Sequence, residues 1–476
     1  MKTNLINLTL MTDSYKLNHW AQYPRNCTNV YSYFESRNGA QYPKTVFVGL
    51  QSILKKFFVG EVVTQDMIEE GELFALAHFG NKEMFNRAGW QYIVDVHGGK
   101  LPIRIKAVKE GAAIPINNVL MTVEVTDEKC GWLKFATNNF ETILTHVWFP
   151  SNVATIGYYL KQEFVKALES TGSPLDGLPF MLHDFGMRGT SSLESAEVGG
   201  FAHLTQFMGT DTPPALIHAR DYYGANRDFS GIAYSVPATE HSVMTARGPE
   251  GEEKILDQLL DNYDEGHLSV VSDSYNIERF VEVYVAERKE RILNRKVNAM
   301  GVGKFIVRPD SLRFRGDTPE DQMVWLTQAL WKIFGGEERN GYKVLNNRIG
   351  AIWGDGIDAD GIVKIVKAVI KAGFTIEHLA FGMGGGLLQK HDRDTQRNAF
   401  KCSAQKQDGQ WVDIQKNPLD VTKKSKAGRL KLIKEGEKYM TVREDKYPDL
   451  VDCLEVVFEN GELVREMTLD EIRAIG

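Results

Sequence analysis

Three adjacent glycines, Gly384, Gly385 and Gly386, follow the apolar run Leu379-Ala380-Phe381 and precede Leu387 and Leu388. Backbone N–H groups bared by glycine at the start of a helix can cradle a phosphate. No Lys-Ser/Thr pair follows as a Walker A motif requires, and Leu387 breaks G-x-G-x-x-G. A tight structural turn is the other reading, but three glycines after a strand favour the anion. Gly354-Asp355-Gly356 adds a carboxylate that suits sugar hydroxyls or a metal-bound water, although on spacing alone an Asp-Gly turn is the stronger reading. Arg308-Pro309-Asp310 pairs a phosphate-binding fork with an acceptor for hydroxyls, and an internal ion pair fits equally well. His241, preceded by Glu240, becomes a nucleophile or general base if a carboxylate such as Asp273 orients it; a lone His is more often simply hydrogen-bonded. Arg188, Arg393 and the stretch from Lys401 to Lys434 supply positive charge. That stretch holds nine Lys/Arg, at 401, 406, 416, 423, 424, 426, 429, 431 and 434, against Asp408, Asp413 and Asp420. It fits a small polyanionic ligand, a solvated basic loop or a nucleic-acid patch. The last is weakened because no aromatic residue lies between Lys416 and Lys434.

The elements that position these residues alternate in type. Phe305-Ile306-Val307 reads as a strand broken by Pro309. Thr318-Pro319-Glu320-Asp321 reads as a helix start, with a Thr cap, Pro in the first turn and a carboxylate three residues on. Met323, Leu326, Leu330, Trp331 and Phe334 then recur at helical spacing. Ala351-Ile352-Trp353 leads to Gly354. Its helix carries Ile362, Ile365, Val366, Val369 and Ile370 on one face and stops at Gly373. Phe180-Met181-Leu182, Ala233-Tyr234-Ser235-Val236 and Leu268-Ser269-Val270-Val271 read as three more strands. The polar residues therefore fall just past strand C-termini, as in an α/β barrel; an open doubly wound sheet places its site similarly. The barrel is expected over 146–400. Hairpin signals at Glu435-Gly436-Glu437 and Asn460-Gly461, with short alternating runs in 40–135, predict a β-rich domain built from 1–145 together with 401–476.

With 476 residues, 43% hydrophobic, 25% charged and 10% aromatic, the chain excludes disorder as its main state and is too long for one small domain. Its net charge of −7 makes it a poor candidate for coating nucleic acid. Cys27, Cys130, Cys402 and Cys453 contain no C-x-x-C pair and read as free thiols in a reducing cytosol. No run approaches a membrane span, and polar residues interrupt the weakly signal-like N-terminus, so a mature cytoplasmic protein is expected.

The set His183-Asp184-Phe185-Gly186-Met187-Arg188-Gly189, Gly209-Thr210-Asp211, Ser235-Val236-Pro237-Ala238-Thr239-Glu240-His241, Ser269-Val270-Val271-Ser272-Asp273, Arg308-Pro309-Asp310-Ser311, Gly354-Asp355-Gly356 and Phe381 to Lys390 resembles the nicotinamide phosphoribosyltransferase family. So do Thr12-Asp13-Ser14-Tyr15-Lys16, Tyr31 to Glu35 and Phe400 to Ser403. The motifs stand in the family's order from about 12 to 430. The resemblance implies the α/β fold of type II phosphoribosyltransferases, an irregular (β/α) barrel with a second β-rich α+β domain. It also implies a homodimer with interface active sites. The reaction would join nicotinamide to phosphoribosyl pyrophosphate with Mg²⁺, giving nicotinamide mononucleotide and diphosphate, with ATP hydrolysis coupled through phosphorylated His241.

In that resemblance Phe185 and the second copy's Tyr15 stack on the pyridine ring, and Asp211 accepts the carboxamide N–H. Asp310 holds ribose hydroxyls and Arg308 faces phosphate. Gly354, Asp355, Gly384 and Gly385 contact the nucleotide's ribose and 5′-phosphate, with Arg393 and Lys401 adding charge across the dimer. Arg188 and His241 border the diphosphate, Asp273 orients His241, and Ser269 belongs to the substrate-binding set. Three positions depart from the family pattern: Leu312, where the motif commonly continues with Gly; Ala399, where relatives offer a Ser; and Met187, a Tyr in some members. A nicotinate phosphoribosyltransferase, or a non-catalytic binding or signalling protein on the same scaffold, are the competing expectations. Neither nucleic acid nor membrane is expected as a partner.

Overall fold

The structure, a computed structural model, describes residues 6–129, 131–416 and 425–476. Cys130, Asp420, Lys423, Lys424 and the first five residues, on which sequence expectations fell, lie outside the described residues. The chain divides into two compact units. One comprises Met1–Thr155, Ala219–Ala225 and His391–Gly476; the other comprises Ile156–His218 and Asn226–Lys390.

The second unit is built on a curled parallel sheet. Its strands are β1 (Leu182–Asp184), β2 (Gly209–Thr210), β3 (Leu268–Val271), β4 (Phe305–Arg308), β5 (Ile349–Trp353) and β6 (Leu379–Met383), in the order β2-β1-β6-β5-β4-β3. Every pairing is parallel. Parallel strands need crossovers, and helices supply much of them. α1 (Leu193–Leu204) is capped by Ser192, whose side chain accepts the Ser195 N–H. α2 (Glu252–Asn262) follows β2 and precedes β3. α3 (Pro319–Phe334) opens with the expected capping box of Thr318 and Asp321. α4 (Ala359–Lys371) buries Ile362, Ile365, Val366 and Val369 and is capped by Asp358.

Two expected strands differ. Leu178–Phe180 forms a 3-10 turn, so β1 begins at Leu182 and takes His183 and Asp184 into the strand. Ala233–Val236 forms no regular strand. Instead, single parallel bridges join Tyr234 to Gly209 on β2 and Ala238 to Ser269 on β3, tying both sheet edges to one extended segment. Pro237 lacks an N–H, which limits this segment to isolated bridges.

The other unit holds a seven-stranded antiparallel sheet ordered Gln410–Asp413, Ala399–Gln407, Cys27–Glu35, Val119–Val125, Ile103–Ala107, Glu455–Glu459, Glu462–Leu463. Its strands come from both ends of the chain. The last hairpin turns at Asn460 and Gly461, both at positive φ (52° and 84°), the geometry that Asn-Gly favours. The core here includes Tyr33, Phe34, Phe58, Trp90, Ile105, Val123, Phe140 and Phe458. Cys27, Cys402 and Cys453 are unbonded. No helix among the described residues is long and apolar enough to cross a membrane.

Candidate active site

Parallel strands end at the same edge of a sheet, so the loops that follow them converge. Phe185 follows β1, Asp211 follows β2, Asp273 lies two residues past β3, and Asp310 two past β4. Gly354 and Asp355 follow β5, and Gly384 and Gly385 follow β6. His241 opens a short helix (His241–Met244) just after the segment that bridges β2 and β3.

His241 lies between two carboxylates. Its Nε2 is 3.2 Å from Asp273 Oδ1, and its Nδ1 is 3.7 Å from Asp310 Oδ2. Asp273 is held rigidly, because its Oδ2 accepts the Asp310 N–H at 2.8 Å and the Ser311 hydroxyl at 2.6 Å. One oxygen thus fixes the loop after β4 and leaves the other for imidazole, which orients the ring. The expected partnership of His241 with Asp273 is present, and Asp310 joins it.

Arg308 projects from the end of β4, and its guanidinium donates to the Thr239 carbonyl, two residues before His241. Its buried Nε makes no hydrogen bond to the described residues. Burial and neighbouring Arg188 lower its pKa, while Asp310, Asp211 and Asp273 oppose that shift. A fork with an unused N–H, surrounded by acids, suits an anion that would complete its hydrogen bonds. Burial, then Asp310 and Asp273, hold the Asp355 carboxyl above its ordinary value. Ser269 is buried on β3, and its hydroxyl is unpartnered among the described residues.

Phe185 rests where glycines make room. A Cβ at Gly382 would lie 2.0 Å from Phe185 Cε2, and one at Gly354 would lie 3.1 Å from it. These two glycines thus accommodate an aromatic ring at the strand ends, a constraint separate from anion binding. Asp211 accepts a 2.5 Å hydrogen bond from Ser235 Oγ through Oδ1. Its backbone N–H donates to the Asp184 carbonyl at 2.9 Å, which ties the β2 loop to β1. Arg188 is exposed on the turn Met187–Gly189.

Tyr15, Arg393 and Lys401 belong to the antiparallel unit. Tyr15 is 61% exposed. Next to it, Lys16 is buried and paired with Asp13 and Glu141 at 3.2 and 3.1 Å. Burial lowers the Lys401 pKa, with Glu141 opposing and Arg37, Arg393 and Lys416 adding to the shift. Arg37 was not singled out from sequence; an isolated arginine between polar residues carries no local signal. Of the departures, Met187 begins the Arg188 turn, Leu312 is 41% exposed, and Ala399 is 5% exposed at the start of its strand.

Sequence reasoning also passed over Glu252, the first residue of α2, which resembles an ordinary acid in a helix's first turn. It is buried, and its Oε1 receives no hydrogen bond from the described residues. Burial pushes its carboxyl up to about 7, Arg279 opposing and Asp273 adding. The unfolded chain loses this proton near the ordinary value of 4.5, so stability falls as pH rises from there to about 7, and the full penalty persists above. Glu252→Gln is therefore expected to raise the thermal midpoint by a few degrees at pH 8 and to change it little near pH 4. Melting curves at both values check this; an equal difference at both would refute it.

Two family models match the chain: "Nicotinamide phosphoribosyltransferase, N-terminal domain" over residues 7–105, and "Nicotinate phosphoribosyltransferase (NAPRTase) family" over residues 180–462. The chain is 43% identical to a nicotinamide phosphoribosyltransferase of Xanthomonas campestris, covering 99% of this chain and 98% of that protein. It is 32% identical to one of Acinetobacter baylyi, covering 98% and 96%. Among solved structures, the nicotinate-nucleotide pyrophosphorylase of Pyrococcus furiosus aligns with TM-score 0.60 at 16% identity, covering 100% of this chain and 97% of the other. Human nicotinic acid phosphoribosyltransferase aligns with TM-score 0.53 at 13% identity, covering 98% and 92%. At these identities the two structures bear on the fold alone.

Proposed function

The chain belongs to the nicotinamide phosphoribosyltransferase family, and from that premise we propose that it transfers the phosphoribosyl group of phosphoribosyl pyrophosphate to nicotinamide. The observation that supports the reading is the placement of three features after neighbouring parallel strands: Phe185 and Asp211 in the loops after β1 and β2, the Arg308 fork at the end of β4, and His241 held by Asp273. In the reaction the bond from ribosyl C1 to diphosphate oxygen breaks, and a bond from C1 to the pyridine nitrogen forms. Arg308 and Arg188 face the charge that grows on the departing diphosphate. Asp310 and Asp355 accept from the ribose hydroxyls, with Gly354, Gly384 and Gly385 lining the nucleotide. Ser269 offers to substrate its hydroxyl, unpartnered among the described residues.

Phe185 stacks on the pyridine, and Asp211 Oδ2, left over by the Ser235 bond, accepts from the carboxamide. A second copy supplies Tyr15 to the other ring face, and Arg393 and Lys401 to the 5′-phosphate, making the enzyme a homodimer. The acids Asp310 and Asp355, of which Asp310 helps to hold the Asp355 carboxyl above its ordinary value, would be the residues to hold a hard divalent cation such as Mg²⁺. When bound, Mg²⁺ supplies charge neutralisation for the leaving diphosphate.

ATP enters as a coupled substrate. A nitrogen of His241 forms a bond to the γ-phosphorus as the bond to the β–γ bridging oxygen breaks and ADP leaves; water later hydrolyses the phosphohistidine. Asp273 stabilises the imidazolium that this requires. Incubation with γ-labelled ATP is expected to give an acid-labile, base-stable label that His241→Ala abolishes, together with the ATP stimulation of mononucleotide synthesis. Persistence of both in the variant would exclude this coupling.

A further inference from the structure

Asp184 is a buried carboxyl for which the reaction above has no use. It is fully buried at the end of β1, between His183 and Phe185. Its Oδ1 accepts the Gly186 N–H at 2.7 Å, which closes the turn that carries Phe185. Its Oδ2 and Thr212 Oγ1 are both buried and make no hydrogen bond of standard geometry among the described residues, yet they lie near enough for the Thr212 hydroxyl to favour the ionised Asp184. The two side chains meet over Gly200: a Cβ there would lie 3.1 Å from Thr212 Cγ2 and 3.2 Å from Asp184 Oδ2. Gly186 is equally confined, since its Cβ would lie 3.0 Å from Asp184 Oδ1 and 2.6 Å from Leu388 Cγ. Thr212 directly follows Asp211, and its own N–H donates to Thr210 Oγ1 at 3.0 Å.

We infer that Asp184 is a positioning residue for the pyridine pocket: its carboxyl grips the Phe185 turn with one oxygen and faces the Asp211–Thr212 segment with the other. The backbone repeats the linkage, since the Asp184 carbonyl accepts the Asp211 N–H. The ring that would stack on pyridine and the acid that would read its substituent are thus set by one buried group touching neither ligand. Burial pushes this carboxyl up to about 6; the Gly186 N–H and Thr212 oppose that shift and Asp211 adds to it. Asn at 184 would keep an acceptor for Gly186 and offer a donor to Thr212.

This inference rests on Phe185 and Asp211 forming the pyridine pocket, so wild-type turnover of nicotinamide is measured first; its absence would remove that pocket assignment rather than the linkage alone. Given turnover, Asp184→Ala is expected to raise the nicotinamide KM about tenfold, while the phosphoribosyl pyrophosphate KM stays within about twofold. Asp184→Asn should restore the nicotinamide KM to within about threefold of wild type. Should Asp184→Ala fail to fold, Thr212→Val, which keeps the shape and removes only the hydroxyl, should raise the nicotinamide KM about threefold and leave the other KM unchanged. Equal changes in both KM values, an unchanged nicotinamide KM in Asp184→Ala or Thr212→Val, or Asn faring as badly as Ala would each overturn the inference.

Discussion

Arg308→Ala is expected to lower kcat/KM for phosphoribosyl pyrophosphate by about three orders of magnitude. Three consequences act together. The substrate loses a two-pronged donor whose Nε has no partner among the described residues. Asp310, Asp211 and Asp273 lose the cation that their charges support. The Thr239 carbonyl loses the donor that steadies the segment leading to His241. Arg308→Lys keeps the charge but not the fork, and a point charge cannot satisfy a diphosphate and a carbonyl in fixed directions; its loss should be about two orders of magnitude. Both variants should show the defect in kcat and in the phosphoribosyl pyrophosphate KM, with a smaller change in the nicotinamide KM. Arg308→Ala activity within tenfold of wild type would refute the role.

The second large effect concerns the choice of pyridine. Asp211→Ala is expected to abolish measurable nicotinamide turnover, and Asp211→Asn to lower its kcat/KM by about two orders of magnitude. A carboxylate accepts a strong hydrogen bond from a carboxamide N–H, and it repels the carboxylate of nicotinate across the few ångströms of a desolvated pocket. An Asn side chain can turn its amide to donate to nicotinate, so Asp211→Asn should also narrow the preference for nicotinamide. Ser235 favours the proposed arrangement: its hydroxyl donates to Oδ1 at 2.5 Å, which would leave Oδ2 to the ligand. Steady-state rates with each pyridine measure both effects; an unchanged nicotinamide KM in Asp211→Ala would contradict the assignment.

Much of the parallel unit was legible because its strands are short apolar runs ending in residues that cannot continue a strand. Leu268–Val271 is a strand as expected, and the helix starting at Pro319 carries its capping box. β2 escaped notice because Gly209 and Thr210 are too few to show a period. Ala233–Val236 reads as a strand by composition, yet it makes only single bridges with its neighbours. Strand order was not readable at all, since β6 joining β1 to β5 depends on pairings distant in sequence. The same holds for Cys27–Glu35 pairing with Ala399–Gln407.

In the site, residue types at strand ends were enough to nominate His241, Asp273, Arg308 and Asp310, whose local geometry lies in adjoining loops. Asp310 closing on Nδ1 of His241 was not visible, because it depends on the backbone N–H of 310 bonding to Asp273. Gly354 was read with sugar hydroxyls or a turn in mind and Gly382 carried no reading of its own, whereas both leave room for the Phe185 ring. Asp184 and Glu252 were missed because only burial separates them from ordinary surface acids.

Competition between the two pyridines decides which of them the enzyme uses. Purified enzyme receives equal concentrations of nicotinamide and nicotinate with phosphoribosyl pyrophosphate, Mg²⁺ and ATP, and the mononucleotides are separated by chromatography. Nicotinamide mononucleotide accumulating with one equivalent of diphosphate, and nicotinate left largely unconsumed, is the predicted result. Nicotinate mononucleotide as the main product, or neither mononucleotide, would contradict it.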